Sequence, residues 1–306
     1  MNQFSSAPEI SIIIPTYNRA EMIKDTINSI LNQNDCTSEI IVIDDCSTDN
    51  TGEIIKSIDN QNIYYYKLQS NSGSQVARNF GSEKANADLL LFLDSDDILL
   101  PGSLRFRIDY FQSHPECESS YSDYEVCFKG VNKDYKKIVT LRKLSYREVL
   151  TELAVVPTSV LIIRSKIFNE IGKFDIKLPA CHDDDIYIQC FKRNGCHYIS
   201  TLAIKFINHP GQRVGTSINL ANGKTLLLKK YKNEILEELG KSYLSKHYIT
   251  NSIDYLFINN FEKFKESWFN INSKSIFLYS YFILEITKRI AFILGRNIRS
   301  IIYRIN

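Results

Sequence analysis

No stretch of this 306-residue chain is apolar for long enough to cross a bilayer as a helix. The best candidate, Ser275 to Leu284, is ten uncharged residues before Glu285, against about 20 for a span. Met1 to Glu9 is polar and lacks the apolar core of a secretory leader. An excess of one charge is missing too: 37 Lys and Arg against 35 Asp and Glu leave +2, which gives no general attraction to nucleic acid. The seven cysteines (Cys36, Cys46, Cys117, Cys127, Cys181, Cys190, Cys196) are scattered, odd in number and without a C-x-x-C pair. That argues against a zinc ribbon or a disulfide framework and suits a reducing, cytoplasmic compartment. Neither G-x-G-x-x-G nor G-x-S-x-G occurs, and Gly223-Lys224-Thr225 ends like a P-loop but has Ile218 where the first glycine belongs. There is no internal repeat and no low-complexity tract.

What is present is an ordinary globular composition, 44% hydrophobic and 24% charged, with one conspicuous junction. Leu89 to Leu93 is a short apolar run that leads into Asp94-Ser95-Asp96-Asp97. Such a run reads as a strand buried on both faces, typical of a parallel sheet, whose carboxyl end opens into the ligand crevice. Three carboxylates so close resist joint ionisation. Either they hold an oxygen-seeking Mg²⁺ or Mn²⁺, or they form a solvated acidic turn before a helix that Pro101 begins.

The flanking pattern alternates. Strands are expected at Ile10–Ile14, Glu39–Ile43, Ile63–Leu68 and Leu89–Leu93, with helices at Glu21–Asn32, Thr51–Ile58 and Gln75–Ala85 between them. This β-α order implies a doubly wound sheet with right-handed crossovers and its polar strand ends on one crevice. Beyond Pro101 the pattern predicts a helix to about Ser113, a strand over Ser119–Phe128, a polar loop over Gly130–Lys137 and a helix over Ser145–Leu153. A buried strand over Ser159–Ile163, a loop over Leu178–Asp185 with a helix after it, a strand over His197–Phe206 and a loop over Asn208–Ser217 complete this part. From Asn219 onward the pattern is helical, so the expected division is 1–218 and 219–306.

Four polar clusters therefore sit at strand ends: Pro15-Thr16-Tyr17-Asn18-Arg19, Asp44-Asp45-Cys46-Ser47-Thr48-Asp49, Asn71-Ser72-Gly73 with Ala77-Arg78-Asn79-x-Gly81, and Phe92-Leu93-Asp94-Ser95-Asp96-Asp97. In this order they resemble the family 2 glycosyltransferases, inverting enzymes of the GT-A fold. The resemblance covers roughly residues 8 to 217. It implies a GT-A, Rossmann-like α/β domain with a mostly parallel sheet, followed by a helical C-terminal extension. It further implies that Thr16, Tyr17, Arg19 and Asn71 line a nucleotide pocket and that Asp45 accepts from the base N–H, as an acceptor-only carboxylate can. Arg78 would meet either a phosphate or an acid of the cluster, or else form a structural ion pair. Asp94 would lie near the ribose and the metal, Asp96 would ligate Mn²⁺ or Mg²⁺, and Asp97 would begin the next turn.

Inversion needs a base for the acceptor hydroxyl. The resemblance points to Asp183 within His182-Asp183-Asp184-Asp185, where His182 and Asp184 depart from the family's usual acid or amide and aromatic. Three adjacent Asp residues should raise one another's pKa, opposed by a helix N-terminus after them, with Asp185 as its cap. After the last strand, His209 would ligate the metal and Arg213 would meet a phosphate.

In the tail, Lys288, Arg289, Arg296, Arg299 and Arg304 share one helical face, opposite Ile283, Leu284, Ile290, Leu294, Ile298, Ile301, Ile302 and Ile305. Such a helix lies either on a membrane surface or against the domain with its cations in water. The expectation is a metal-dependent transferase on the cytoplasmic face of the inner membrane. It would move a hexose or N-acetylhexosamine from a UDP-sugar to a glycan on a polyprenyl diphosphate carrier. A sugar-1-phosphate nucleotidyltransferase, an Asp-x-Asp-x-Thr phosphatase and a non-catalytic binding scaffold are the rivals. The first needs a glycine-rich loop in place of Thr16–Arg19, and the second needs Thr where Ile98 stands.

Overall fold

The computed structural model describes residues 7–128, 135–152, 156–208, 217–271 and 278–290. They fall into two compact units, one within residues 1–177 and 182–213, the other within 178–181 and 214–306.

The first unit is α/β. It opens with β1 (Ile10–Thr16), α1 (Ile23–Leu31), β2 (Ser38–Asp44), α2 (Thr51–Lys56), β3 (Ile63–Lys67), α3 (Ser74–Ser82) and β4 (Leu89–Phe92). All of β1 and β4 is buried, and all of β2 but Ser38, so both faces of this parallel core are covered. β5 (Ile98–Leu99), α4 (Ser103–Ser113), β6 (Ser119–Phe128), β7 (Tyr135–Val139) and α5 (Tyr146–Glu152) follow. A 3-10 turn (Thr158–Val160), β8 (Ile162–Arg164), α6 (Ser165–Glu170), α7 (His182–Lys192) and β9 (Cys196–Asn208) close the unit. The sheet runs β3-β2-β1-β4-β8-β6-β9-β5, with β7 added on β6. Its first four strands are parallel and the second half is mixed: β8 is antiparallel to β4 and β6, while β9 is parallel to β6.

The winding direction reverses between β1 and β4, which is where open sheets of this kind bind ligands. Register fixes what stands there. Thr16 lies opposite Asp44 across β1–β2, and Ile13 lies opposite Phe92 across β1–β4. Thr16, Asp45 and Asp94 thus leave three neighbouring strands at one end. The other end of the sheet is tied by a buried network. Ser11 Oγ donates to Glu39 Oε1 at 2.5 Å, and the Asn86 N–H and Nδ2 donate to Glu39 at 2.6 and 2.8 Å.

Three expectations change. Tyr135–Val139, whose first three residues fall in the expected polar loop Gly130–Lys137, pairs antiparallel with β6 as an edge strand. The strand expected at Ser159–Ile163 is a 3-10 turn followed by the shorter β8. And α7 begins at His182, so Asp183, Asp184 and Asp185 lie inside its first turn and Asp185 is buried there rather than capping. Acidic groups suit that position because the first-turn amides are unpaired.

The second unit is helical: α8 (Ser217–Lys230), α9 (Lys232–Glu238), α10 (Lys241–Phe257), α11 (Phe261–Phe269) and a helix over residues 278–290. Ile249, Ile253 and Leu278 form its core with Phe257, Phe282 and Ile286 packed against them. Asp254 is buried and paired by Lys224 at 2.8 Å and by Arg289. Of the five tail cations, Arg296, Arg299 and Arg304 lie outside the described residues. The other two have acidic partners, Arg289 with Asp254 and Lys288 with Glu285. Tyr279, Ile283, Leu284 and Ile290 are exposed. Among the described residues no helix is long and apolar enough to cross a membrane.

Gly81 is where α3 lies against the sheet. A Cβ there would come within 2.5 Å of Ile13 Cγ2 and 3.2 Å of Ile43 Cγ1, both on fully buried side chains of central strands. Gly81→Ala should therefore destabilise the fold. Overpacking costs about 1–3 kcal/mol, more than the roughly 1 kcal/mol that alanine gains in a helix. A net loss of about 1–2 kcal/mol in a urea titration is expected.

Candidate active site

The β1 exit is pinned to the β2 exit by short hydrogen bonds. The Asp45 N–H donates to the Thr16 carbonyl at 2.8 Å, the Asn18 N–H to Ser47 Oγ at 2.9 Å and the Thr48 N–H to Asn18 Oδ1 at 2.8 Å. The Arg19 N–H donates to Thr51 Oγ1 at 2.9 Å. Asn18 holds a φ of 51°, a left-handed position that asparagine tolerates. Thr16 is buried, and its Oγ1 has no hydrogen-bond partner among the described residues. Tyr17 is exposed.

Asp45 is buried with both oxygens occupied. Oδ1 accepts the Ser72 N–H at 2.7 Å and Oδ2 the Gly73 N–H at 2.8 Å. Gly73 has a φ of 96°, a conformation open to glycine, and this directs its amide onto the carboxylate. Each oxygen retains a second acceptor direction. Asn71 is exposed beside this turn. The helix-entry hydrogen bonds that Asp45 could have supplied come from Asp49, which accepts from the Thr51 N–H at 3.0 Å and Thr51 Oγ1 at 2.5 Å.

Arg78 of α3 is 3% exposed, stacks over the Phe174 ring at 5.3 Å and donates from Nη2 to Asp94 Oδ1 at 2.6 Å. Burial pulls its pKa down, but Asp94 and Asp183 push it up, and the net direction is up. Arg78 Nε has no partner among the described residues. The acid-pairing alternative for Arg78 is the observed one. Asp96 lies 3.8 Å from Arg19 Nε. Asp97 is fully buried and ties the 3-10 turn to β9: Oδ2 accepts Ser159 Oγ–H at 2.5 Å and Oδ1 the Ile207 N–H at 3.3 Å. Its N–H donates to the Asp94 carbonyl at 3.0 Å, closing the expected turn. Burial and the neighbouring Asp94 raise its pKa well above the carboxylate range.

Asp183 accepts the Thr158 hydroxyl on Oδ1, and His182 Nε2 lies 3.4 Å from the same oxygen. Burial pushes its pKa up, but His182, Arg78 and Thr158 together bring it below the usual value. This reverses the expectation that its Asp neighbours raise it. Burial lowers the His182 pKa, against the pull of the neighbouring Asp183.

The structure thus gathers Thr16, Asp45, Asp94 and Asp96 at the carboxyl ends of β1, β2 and β4, with Arg78 of α3 and Asp183 at the start of α7. His209 and Arg213 lie outside the described residues. Thr158, Ser159 and Phe174 were not anticipated. They act across 25 to 96 positions of sequence and carry no charge, and a serine or threonine after Pro157 has no local mark beyond a turn. Asp94 and Asp96 are 34% and 24% exposed, hard oxygen donors of the type Mg²⁺ or Mn²⁺ takes when phosphate and water complete its shell. Among the described residues no group of three or more His, Cys, Asp or Glu side chains could hold a metal ion. Asp94 and Asp96 are the two carboxylates here that could share a cation with a substrate phosphate.

A family model described as glycosyl transferase family 2 matches residues 11–172. A putative teichuronic acid biosynthesis glycosyltransferase of Bacillus subtilis, TuaG, is 32% identical over 161 residues, 52% of this chain and 64% of that protein. An uncharacterised glycosyltransferase of Rickettsia conorii is 29% identical over 236 residues, 75% of this chain and 39% of its own length. The chain thus spans less than two thirds of the length of these relatives. Among solved structures, residues 1–349 of Staphylococcus aureus TarS in complex with UDP-GlcNAc align with a TM-score of 0.55 at 17% identity, over 85% of this chain and 90% of that one. The likeness at this identity is one of fold.

Arg78 is the cation on which the acids here converge. Arg78→Met should keep the stem volume and lose the charge. Unfolding in urea should show a loss of about 2 kcal/mol, and a carboxyl-carbon NMR titration should show the Asp183 pKa moved upward.

Proposed function

The chain belongs to glycosyltransferase family 2, and from that premise we propose that it transfers a sugar from a UDP-sugar to a lipid-linked glycan, with inversion at the sugar carbon. The observation that carries this reading is the position of Arg78. It is bonded to Asp94 on the donor side, and its charge also bears on Asp183, the candidate base. An in-line displacement needs a base close to the acids that hold the donor, and Asp94 and Asp183 both act on this one guanidinium.

Asp45 would accept the uracil imide N–H on an acceptor direction that Ser72 and Gly73 leave open. Thr16, Tyr17, Arg19 and Asn71 would line the nucleotide, with the unpartnered Thr16 Oγ1 available to it. Asp94 and Asp96, with His209, would hold Mn²⁺ or Mg²⁺, which when bound offsets the charge growing on the diphosphate leaving group. Arg213 would meet the same diphosphate. Asp183 would take the proton of the acceptor hydroxyl as that oxygen bonds the anomeric carbon and the carbon–oxygen bond to UDP breaks. UDP as the leaving nucleotide is supported by the UDP-GlcNAc complex of the TarS neighbour. The sugar would be glucose, galactose or GlcNAc.

A surface polysaccharide such as O-antigen, lipopolysaccharide or capsule, built on a polyprenyl diphosphate carrier, is supported by the teichuronic acid assignment of the Bacillus relative. The helical unit of residues 219–306 would meet the acceptor and the cytoplasmic face of the inner membrane. The exposed Ile283, Leu284 and Ile290 support that placement, because such apolar groups on a cationic segment favour an anionic interface.

Asp183→Asn should bind UDP in the presence of Mn²⁺ as the parent does and lose transfer by at least about a hundredfold. A panel of UDP-sugars assayed for UDP release would read both the donor and the loss, and parental turnover by this variant would overturn the base. Replacing the exposed Ile283, Leu284 and Ile290 with serine, which spares Ile286 in the helical core and the Arg289–Asp254 pair, should release the protein from phosphatidylglycerol vesicles in a flotation assay. Undiminished flotation would overturn the membrane role.

A further inference from the structure

The buried turn Thr158-Ser159 joins the two halves of the site. The Thr158 hydroxyl donates to Asp183 Oδ1 on α7. The next residue faces the other way. Ser159 Oγ donates to Asp97 Oδ2 at 2.5 Å and accepts the Asp94 N–H at 3.1 Å. Thr158 and Ser159 are 1% and 0% exposed. The turn is itself held from both ends. Tyr187 Oη donates to the Pro157 carbonyl at 3.2 Å, and Arg107 Nη1 to the Val160 carbonyl at 3.4 Å. Arg107 is fully buried and lies under the turn with only carbonyl partners, so its place there depends on the turn's geometry. Tyr187 stands one helical turn beyond Asp183, so the helix carrying Asp183 is bound to the turn at two points.

The two oxygens of Asp183 are therefore unlike. Oδ1 is occupied by Thr158 and approached by His182 Nε2, while Oδ2 has no hydrogen bond among the described residues. We propose that Thr158 is a positioning residue: its hydroxyl fixes the plane of the Asp183 carboxylate so that Oδ2 receives the acceptor proton, and the Thr158-Ser159 turn sets that oxygen's distance from the donor acids. This inference rests on the transferase reading.

Misplacing a reacting group by a fraction of an ångström is expensive in rate and leaves ground-state binding intact. Thr158→Val keeps the shape and removes the hydroxyl. It should lower kcat for transfer by about ten- to a hundredfold, with the Kd for UDP in the presence of Mn²⁺ within about twofold of the parent's, and Thr158→Ser should restore most of the loss. The titratable and charged groups that act on Asp183 are His182 and Tyr187 on its own helix, and Arg78 from α3 backed by Asp94 and Asp97. All of these remain in Thr158→Val. Loss of the donated hydrogen bond should then move the acid limb of kcat to higher pH, a shift that a purely structural role would not produce. Ser159→Ala should act on the donor side and raise the donor KM more than it lowers kcat.

Four results would overturn the positioning role. They are a parental kcat in Thr158→Val, an unmoved acid limb, equal losses in Thr158→Val and Thr158→Ser, and the same kcat and KM changes in Thr158→Val and Ser159→Ala. Failure of the transferase reading is distinguishable: the unmodified chain would then release no UDP from any donor, or Asp183→Asn would turn over normally.

Discussion

A buried guanidinium is tolerable only where carboxylates meet it, and carboxylates crowded at a strand end are tolerable only where a cation meets them. Arg78 satisfies both conditions at once. It is 3% exposed, bonds Asp94 at 2.6 Å and influences Asp183, while Phe174 covers its face. The parallel core needs α3 pressed against β1 and β2 to bring Arg78 there, and Gly81 permits that approach because Ile13 and Ile43 leave no room for a Cβ. The packing of one glycine and the electrostatics of the site are thus parts of a single constraint.

That constraint explains why the base candidate does not behave as its neighbours in sequence suggest. Judged by sequence alone, Asp183 lies among Asp184 and Asp185, and like charges raise a carboxyl pKa. In the fold its partners are His182, Arg78 and Thr158, which outweigh burial and draw it down. The first turn of α7 favours negative charge for the same reason any helix start does. A carboxylate that stays ionised in a crowded acidic site is ready to accept a proton over a wide pH range, at the cost of lower intrinsic basicity. Position then matters more than pKa, and this is why the hydroxyl on its Oδ1 carries such weight.

Much of this was legible from residues. The apolar runs at Ile10, Ile40 and Leu89 are long enough for strands and too short for helices, and the helical spacing between them left one topology for the parallel half. The strand-end acids followed from that topology. The mixed half was harder. Tyr135–Val139 is a five-residue edge strand in which Lys136, Lys137 and Ile138 are all exposed, so no alternation marks it, and β8 is only three residues long. The Thr158-Ser159 turn was hidden altogether. Its hydrogen bonds reach 25 residues to Asp183, 62 to Asp97 and 65 to Asp94, and pairings so distant leave no local period to read.

Unpaired buried polar atoms do not by themselves mark a site in this chain. Ser120 and Ser122 of β6 also hold hydroxyls without partners among the described residues. What distinguishes the β1–β4 crevice is the coincidence of such atoms with charge. Thr16 Oγ1 and Arg78 Nε are unpartnered where Asp94 and Asp96 are partly exposed and Arg19 stands within 4 Å of Asp96. At the opposite sheet end, Glu39 is equally buried yet satisfied by Ser11 and Asn86. One end of the sheet has settled its polar groups internally. The other leaves Thr16 Oγ1 and Arg78 Nε without partners among the described residues beside the partly exposed Asp94 and Asp96, which is the need that the proposed nucleotide-sugar ligand, with its diphosphate and imide, would meet.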